Sequence, residues 1–231
     1  MRSQIIRFTL PSDATVSVGT FDDLRDAVAK AGALSQYFGY SVSMRKPMRT
    51  RKRRHEITWI ILLINSPFFA RIEWPQEPKW DTPLRELFQE LVDGEIADVT
   101  VEMNGSNHDD LLSGLDAPVC EVHTPVLDDA ILESVHKLYT DCFDMLGFVG
   151  GDWGFATNTT LVKGETGPSA LHAVRLPRKD RLLSVFILGW ESIELHEDAT
   201  KTALFAEDLG NLGPHIDRSS GGWYVTLQKH E

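Results

Sequence analysis

The densest group of potentially reactive side chains lies in residues 209–223, a segment that contains four glycines. It includes His215, Asp217 and Arg218, and a histidine two positions from an aspartate could share a proton or ligate a metal ion. These residues would suit an enzyme or small-ligand binder whose pocket lies between two halves of the chain, since domain junctions often form pockets. The same composition also suits an ordinary helix-to-strand connection, because glycine, serine and aspartate favour turns.

A second glycine-rich segment, residues 148–160, contains Asp152 and Trp153. We expect a loop here that follows a helix and exposes both side chains. Tryptophan is common among the residues that dominate binding at protein interfaces, so Trp153 is a candidate anchor. The segment has no GxxxxGK[ST] pattern and leads into a strand, which argues against a phosphate loop. The alternative is a helix stop followed by a partly buried tryptophan.

Residues 45–55 form the most basic stretch of the chain, RKPMRTRKRRH. One alternative is that the protein associates with nucleic acid. The basic stretch would then neutralise phosphates through Arg51, Lys52, Arg53 and Arg54. The same four side chains could instead bind an acidic partner. Clustered like charge also suits a solvated loop between two strands, and the stretch lacks the interleaved aromatic residues that favour single-strand binding.

The rest of the chain is acidic, and this sets the main functional prediction. The chain has 23 Lys plus Arg against 34 Asp plus Glu, and residues 106–231 hold 9 basic and 20 acidic residues. An acidic surface attracts basic macromolecules. We therefore predict a non-catalytic module that recognises a basic partner protein through an acidic face with tryptophan anchors. The candidate contact residues are Asp152, Trp153, Trp190, Glu191, Glu194 and Asp217.

In size and in the sign of its charge, the chain is similar to immunity proteins that neutralise bacterial toxins, particularly nucleases with cationic active sites. That resemblance implies an inhibitor whose basic partner is a toxin. Common catalytic patterns are absent from the sequence, including HExxH, GxSxG and GxGxxG. We expect no cofactor, no metal ion and no membrane association. The two cysteines, Cys120 and Cys142, have no metal-ligand spacing, which suggests a reduced, cytoplasmic protein.

The hydrophobic pattern predicts two similar halves with the order β-α-β-β-β-α-β. In residues 1–105 the strongest strand signal is the apolar, β-branched run 57–64, and helical spacing begins near Thr20. In residues 106–231, a helix is predicted after Thr124-Pro125, and a last strand over 223–228. The segment 104–118 is the expected joint. We predict an α+β fold of two tandem ferredoxin-like halves, each an antiparallel sheet with helices on one face. The alternative is a single larger α+β sheet in which the alternation of the halves is a coincidence.

Overall fold

The computed structural model describes residues 1–10, 19–43, 56–63, 97–104, 108–124, 126–128, 132–160, 181–216 and 221–230. The strands are β1 (Arg2–Thr9), β2 (Ser35–Ser43), β3 (Glu56–Leu63), β4 (Ala97–Met103), β5 (Val119–Thr124), β6 (Val126–Asp128), β7 (Phe148–Thr160), β8 (Arg181–Trp190), β9 (Gly221–Val225) and β10 (Gln228–Lys229). The helices are α1 (Gly19–Lys30), α2 (His108–Leu115), α3 (Leu132–Asp141), α4 (Ile193–Ala199) and α5 (Ala203–Leu212). Short 3₁₀ turns cover Cys142–Asp144 and Gly213–His215.

Eight strands close into one antiparallel barrel. Their order is β2-β3-β1-β4-β7-β8-β5-β9, and β9 pairs again with β2. Two seams join the halves, β4 with β7 and β9 with β2. The predicted pair of separate tandem sheets is therefore wrong. In each half the strands follow the same order, but their outer edges pair with the other half, because an unpaired sheet edge leaves backbone groups without partners.

Alternation of side chains along the strands gives the barrel a filled interior. On β3, Ile60 and Leu62 point inward, whereas Trp59 and Ile61 belong to the outer layer. This explains the continuous apolar run, because both faces of the strand are covered. Inside the barrel, Trp223 donates a 2.8 Å hydrogen bond to the hydroxyl of Thr58.

Helix α2 occupies the segment predicted as a joint and packs into the barrel interior through Leu111 and Leu115. The close approach depends on glycine. A Cβ atom on Gly114 would lie 2.6 Å from the carbonyl oxygen of Gly150, and one on Gly189 would lie 2.5 Å from the Cα atom of Gly114. Any larger side chain at these positions would push α2 away from β7 and β8.

The outer faces of the two halves differ in chemistry. Over the amino-terminal half, α1 inserts Phe21 edge-on against Phe8, Phe38 and Trp59, with ring centroids 5.4–5.7 Å apart. This layer is mostly apolar, with Arg25 stacked over Phe21 and Phe38 and with Gln36 accepting a hydrogen bond from Trp59. Over the carboxyl-terminal half, the helices α3, α4 and α5 cover a layer that contains aromatic, aliphatic and ionisable side chains.

The structure contradicts some of the predicted elements and does not describe others. The expected loop at 148–160 is strand β7, and the expected helix after Thr124-Pro125 is preceded by strand β6. The basic stretch 45–55 lies outside the described residues. The boundary between residues 105 and 106 stays a prediction. Within the described ranges, every helix is too short or too polar to span a bilayer.

Candidate functional site

A cavity lies on the outer face of the carboxyl-terminal half, between strands β5 and β8 and the helices α3 and α5. Its volume is about 50 Å³. Its walls are mostly aromatic and aliphatic, and its polar side chains come from Glu121, His123 and His196. The remaining lining residues are Val135, Leu138, Cys142, Phe186, Leu188, Trp190, Phe205, Leu209, Leu212 and Ile216.

Strand alternation places the polar groups in this cavity. On β5, Cys120 and Val122 belong to the barrel interior. The alternating residues Glu121 and His123 therefore face the helices. The same alternation directs Trp190 of β8 outward. Tyr224 lies between the interior residues of β9 and likewise faces the helical layer, where its hydroxyl meets His196.

Helix α4 supplies the histidine that completes the group. The helix begins after Ser192, whose hydroxyl accepts a 3.2 Å hydrogen bond from the backbone N–H of Leu195. This cap satisfies one of the free amides at the start of a short helix. One turn further on, His196 is only 7% exposed and points down onto the sheet.

Glu121 is the centre of a buried hydrogen-bond network. One of its carboxylate oxygens, Oε2, accepts a 3.2 Å hydrogen bond from the indole N–H of Trp190 and lies 3.1 Å from Nε2 of His196. The other oxygen, Oε1, lies 3.7 Å from Nδ1 of His123. On its far side, His196 places Nδ1 2.5 Å from the hydroxyl of Tyr224. A continuous chain of polar groups thus joins three strands and one helix.

The electrostatics of this network favour a charged pair. Burial disfavours the ionised form of Glu121, but the hydrogen bond and charge of His196, aided by His123 and Trp190, outweigh it and lower the pKa of the carboxyl below 4.5. Burial also opposes protonation of His196, and the hydrogen bond and charge of Glu121 reverse that effect and raise its pKa above 6.5. Each group of the Glu121–His196 pair therefore favours the charged form of the other.

The other titratable groups of the cavity are neutral at pH 7. Burial, reinforced by the charge of His196, lowers the pKa of His123 despite the attraction of Glu121. Burial also raises the pKa of the Tyr224 hydroxyl, with the charge of Glu121 acting in the same direction. Cys142 is a thiol rather than a thiolate, since burial raises its pKa and its Sγ atom donates to the carbonyl oxygen of Leu138 at 3.3 Å.

This arrangement can do acid–base chemistry on a bound molecule. The neutral imidazole of His123 lines the cavity with a side chain that is 40% exposed, so a ligand can reach it. A neutral imidazole accepts a proton, and the carboxylate of Glu121 stabilises the cation that results. Tyr224 and His196 hold that carboxylate in place from behind.

The residues predicted as partner contacts fall into a buried group and an exposed group. Trp190 lies in the cavity wall, 1% exposed, and Trp153 packs between Phe155 and Phe186, 5% exposed. Asp152 is 3% exposed, and its carboxylate accepts a hydrogen bond from the backbone N–H of Trp153. Glu191 and Glu194 are exposed.

The residues predicted to form a pocket or a basic contact have a mixed outcome. His215 lies next to Ile216, which lines the cavity, so this part of the predicted segment is close to the site. Asp217 and Arg218 lie outside the described residues, as do Arg51, Lys52, Arg53 and Arg54.

Sequence reasoning missed Glu121, His123 and Tyr224 as site residues. In the strand Val119–Thr124 a glutamate and a histidine alternate with apolar residues, which is also the pattern of a strand with one face in solvent, so their burial under the helices left no signal in the sequence. A charged residue at such a position needs a partner. The partner, His196, lies 75 positions further along the chain, and nothing in the sequence links the two.

Comparisons with known proteins define the class of fold. No protein-family model and no curated protein sequence matches the chain. Three solved structures share its fold over nearly its full length. They are two proteins described as "putative monooxygenase", from Fusobacterium nucleatum and Lactobacillus acidophilus, and an anthrone oxidase-like protein.

The three likenesses are similar in extent. The Fusobacterium protein matches at 11% identity over 100% of this chain and 92% of its own, with a TM-score of 0.55. The Lactobacillus protein matches at 11% identity over 99% and 94%, with a TM-score of 0.54. The anthrone oxidase-like protein matches at 10% identity over 99% and 92%, also with a TM-score of 0.54. At identities this low, the likeness shows a shared fold and nothing beyond it.

The predicted role as a non-catalytic protein-binding module, including the comparison with immunity proteins and antitoxins, is wrong. Its two tryptophan anchors, Trp153 and Trp190, are core residues, because each packs under the helical layer. The fold is shared with proteins described as monooxygenases and as oxidase-like. The alternative of an enzyme or small-ligand binder fits better, but its predicted pocket between the two halves is misplaced, because the cavity lies on the outer face of the carboxyl-terminal half. The basic protein partner and the nucleic-acid partner stay predictions.

Proposed function

We propose that the protein is an enzyme that binds a small, largely apolar molecule in the carboxyl-terminal cavity and removes a proton from it. The observation that carries the proposal is the buried Glu121–His196 pair with the neutral His123 beside it, at the floor of an otherwise apolar cavity. A buried ion pair contributes little to stability compared with apolar packing of the same volume. Its presence under one helical layer therefore points to chemistry.

The charges of the site define the ligand class. Glu121 favours the imidazolium form of His196, and burial favours the neutral form of His123, so the charges of the polar floor tend to offset each other. An anion would meet the carboxylate in a poorly solvated cavity, and a cation would meet the imidazolium. A neutral molecule with one acidic O–H or C–H group fits, because that group can reach His123 while the rest contacts apolar walls.

The reaction class we favour is oxidation of that ligand by dioxygen as the co-substrate, in which one oxygen atom enters the product as a carbonyl group and the other leaves as water. Proton removal is the step that the residues of this chain supply, since it leaves an electron-rich anion next to a carboxylate-stabilised imidazolium. The descriptions of the three proteins with the same fold, two monooxygenases and an anthrone oxidase-like protein, support oxidation as the following step. We include a reduced, cytoplasmic setting in the proposal, consistent with two buried free cysteines.

Oxygen uptake with phenol, a neutral one-ring probe with an acidic O–H group, tests the proposal. We expect the wild-type protein to accelerate uptake and His123→Gln to lower the rate by roughly 10²–10⁴-fold, the usual contribution of a general base. The matched control is Gln36→Met, which removes the 3.2 Å hydrogen bond acceptor of Trp59 in the other half. The control should keep its activity.

Binding measured by quenching of tryptophan fluorescence separates affinity from chemistry. Trp190 lines the cavity, so a bound aromatic probe should quench it. His123→Gln should still bind the probe while its turnover falls. Equal turnover in His123→Gln and wild type, or quenching that persists when the cavity is filled by Leu188→Trp, would contradict the proposal.

A further inference from the structure

We infer that the ion pair between Lys137 and Asp208 holds α5 over the cavity and so sets the size of the ligand that the site admits. The inference rests on the proposed function and adds two positioning residues that touch neither the ligand nor the reacting atoms. It begins from the small volume of the cavity and from the way in which α5 is attached.

Helix α5 forms the outer wall of the cavity. Phe205, Leu209 and Leu212 all line it, and Leu209 is 40% exposed, which places it at the mouth. Over its ten residues the helix buries only Leu212 and Asp208. Leu204 and Phe205 are only partly buried against the apolar cluster, so the polar contact with α3 is a second attachment that helps to fix the position of α5.

That contact is an ion pair between a half-exposed lysine and a buried aspartate. Nζ of Lys137 on α3 lies 2.6 Å from Oδ1 of Asp208 on α5 and 2.6 Å from Oδ2 of Asp141 on its own helix. The side chain of Asp208 is 1% exposed, whereas that of Lys137 is 44% exposed. Within the part of the chain that the structure describes, Oδ2 of Asp208 has no hydrogen-bond partner. The buried carboxylate therefore relies on Lys137, and losing that cation would drive Asp208, and α5 with it, toward solvent.

The size of the cavity makes the position of α5 decisive. Its volume is about 50 Å³, whereas a cavity of about 150 Å³ is known to accept benzene. A ligand of one ring therefore needs a small outward shift of the wall, and a ligand of two fused rings needs a larger one. The wall on the sheet side cannot yield, since β8 is paired on both edges by β7 and β5. The yielding wall is α5.

The experiment compares Lys137→Met and Asp208→Asn with wild type. Hydrogen–deuterium exchange of the α5 amides should become at least tenfold faster in both variants, while the amides of β8 are unchanged. The affinity for 1-naphthol relative to phenol, measured by tryptophan quenching, should rise at least fivefold. Lys137→Arg keeps the cation. In this variant the exchange rate of the α5 amides and the naphthol-to-phenol affinity ratio should both stay close to their wild-type values.

Lys201→Met is the matched control, because it removes a lysine that pairs with Asp198 at 2.7 Å on the exposed surface. It should change neither quantity. Unchanged α5 exchange in both variants, or faster exchange with an unchanged naphthol-to-phenol ratio, would overturn the inference. If one variant fails to fold, the other decides.

The two proposals fail in different ways. If wild type and variants bind neither phenol nor 1-naphthol, the proposed function fails and the size-selection part of the inference fails with it. The exchange of α5 amides in the ligand-free protein still decides whether the ion pair holds the helix. If both probes bind but their ratio stays constant while α5 loosens, the binding site stands and the role of Lys137 and Asp208 in selectivity is refuted.

Discussion

Replacing Glu121 with glutamine removes one charge from the centre of the buried network and leaves its shape almost unchanged. The carboxylate is 4% exposed and accepts hydrogen bonds from Trp190 and His196 at 3.2 and 3.1 Å. Hydrogen bonds to charged groups contribute roughly 1.5–3 kcal/mol each. Removing one partner of a buried ion pair costs roughly 3–5 kcal/mol.

The amide oxygen of Glu121→Gln can still accept from both donors, so we take the lower end of these ranges. We expect a loss of about 3 kcal/mol in the free energy of unfolding at pH 6. For a chain of 231 residues, this lowers Tm by roughly 6–12 °C. Urea denaturation and differential scanning calorimetry measure both quantities.

The loss should depend on pH. The pKa of Glu121 is lowered in the folded protein, so the carboxylate stabilises the fold above 4.5, and this contribution disappears as the pH falls through the folded pKa. The pKa of His196 is raised, so the imidazolium stabilises the fold below 6.5, and this contribution disappears as the pH rises through its folded pKa. The destabilisation by Glu121→Gln should therefore be largest between pH 4.5 and 6.5.

Two measurements can refute this reasoning. In Glu121→Gln, burial is no longer opposed by the carboxylate, so the pKa of His196, followed by NMR, should fall below its ordinary value. The control is Glu102→Gln, which removes an exposed 2.8 Å pair with Arg2 and should cost less than about 1 kcal/mol. An equal loss at pH 6 and pH 9, or an unchanged titration of His196, would show that the two groups are not an ion pair.

Three further substitutions test other contacts. Gly189→Ala should destabilise the protein by about 1–3 kcal/mol in urea denaturation, because its Cβ atom would lie 2.5 Å from the Cα atom of Gly114. Gly210→Ala, within helix α5 and with no atom within 4 Å of its Cβ position, should instead stabilise it by about 0.5–1 kcal/mol, and a loss would contradict the open environment. Tyr224→Phe, which removes the hydroxyl 2.5 Å from His196, should cost about 1 kcal/mol and change the NMR titration of His196; an unchanged titration would disprove the contact.

Local patterns in the sequence predict the strands better than their assembly. The apolar run 57–64 predicts a strand covered on both faces, and β3 spans Glu56–Leu63. Helical spacing after Thr20 likewise predicts α1. Closure of the barrel depends on the pairings of β4 with β7 and of β2 with β9, which join backbone groups far apart in the chain. Backbone hydrogen bonds carry no side-chain signature, so the sequence does not reveal these seams.

Glycine explains the error at residues 148–160. The composition predicts a loop, but the glycines allow a strand to pass close to its neighbours: a Cβ atom on Gly151 would lie 2.3 Å from the carbonyl oxygen of Ile187. Asp152 and Trp153 are consequently buried within β7 rather than presented at a tip. The candidate site was missed for a different reason, since its polar groups come together only when α4 docks on β5.

Because one chain contributes both halves of the barrel, the two outer layers are free to diverge. In a barrel formed by two identical subunits, every substitution would occur twice. An ionisable group that lowers the stability of the fold would then be present twice. Here the layer around Phe21 and Trp59 can be optimised for cohesion alone, and it can offset the cost of the charges that Glu121 and His196 bring into the opposite layer. A substitution that removes apolar contact area from the Phe21 layer should accordingly lower the stability of the opposite layer as well, because both layers cover one continuous barrel.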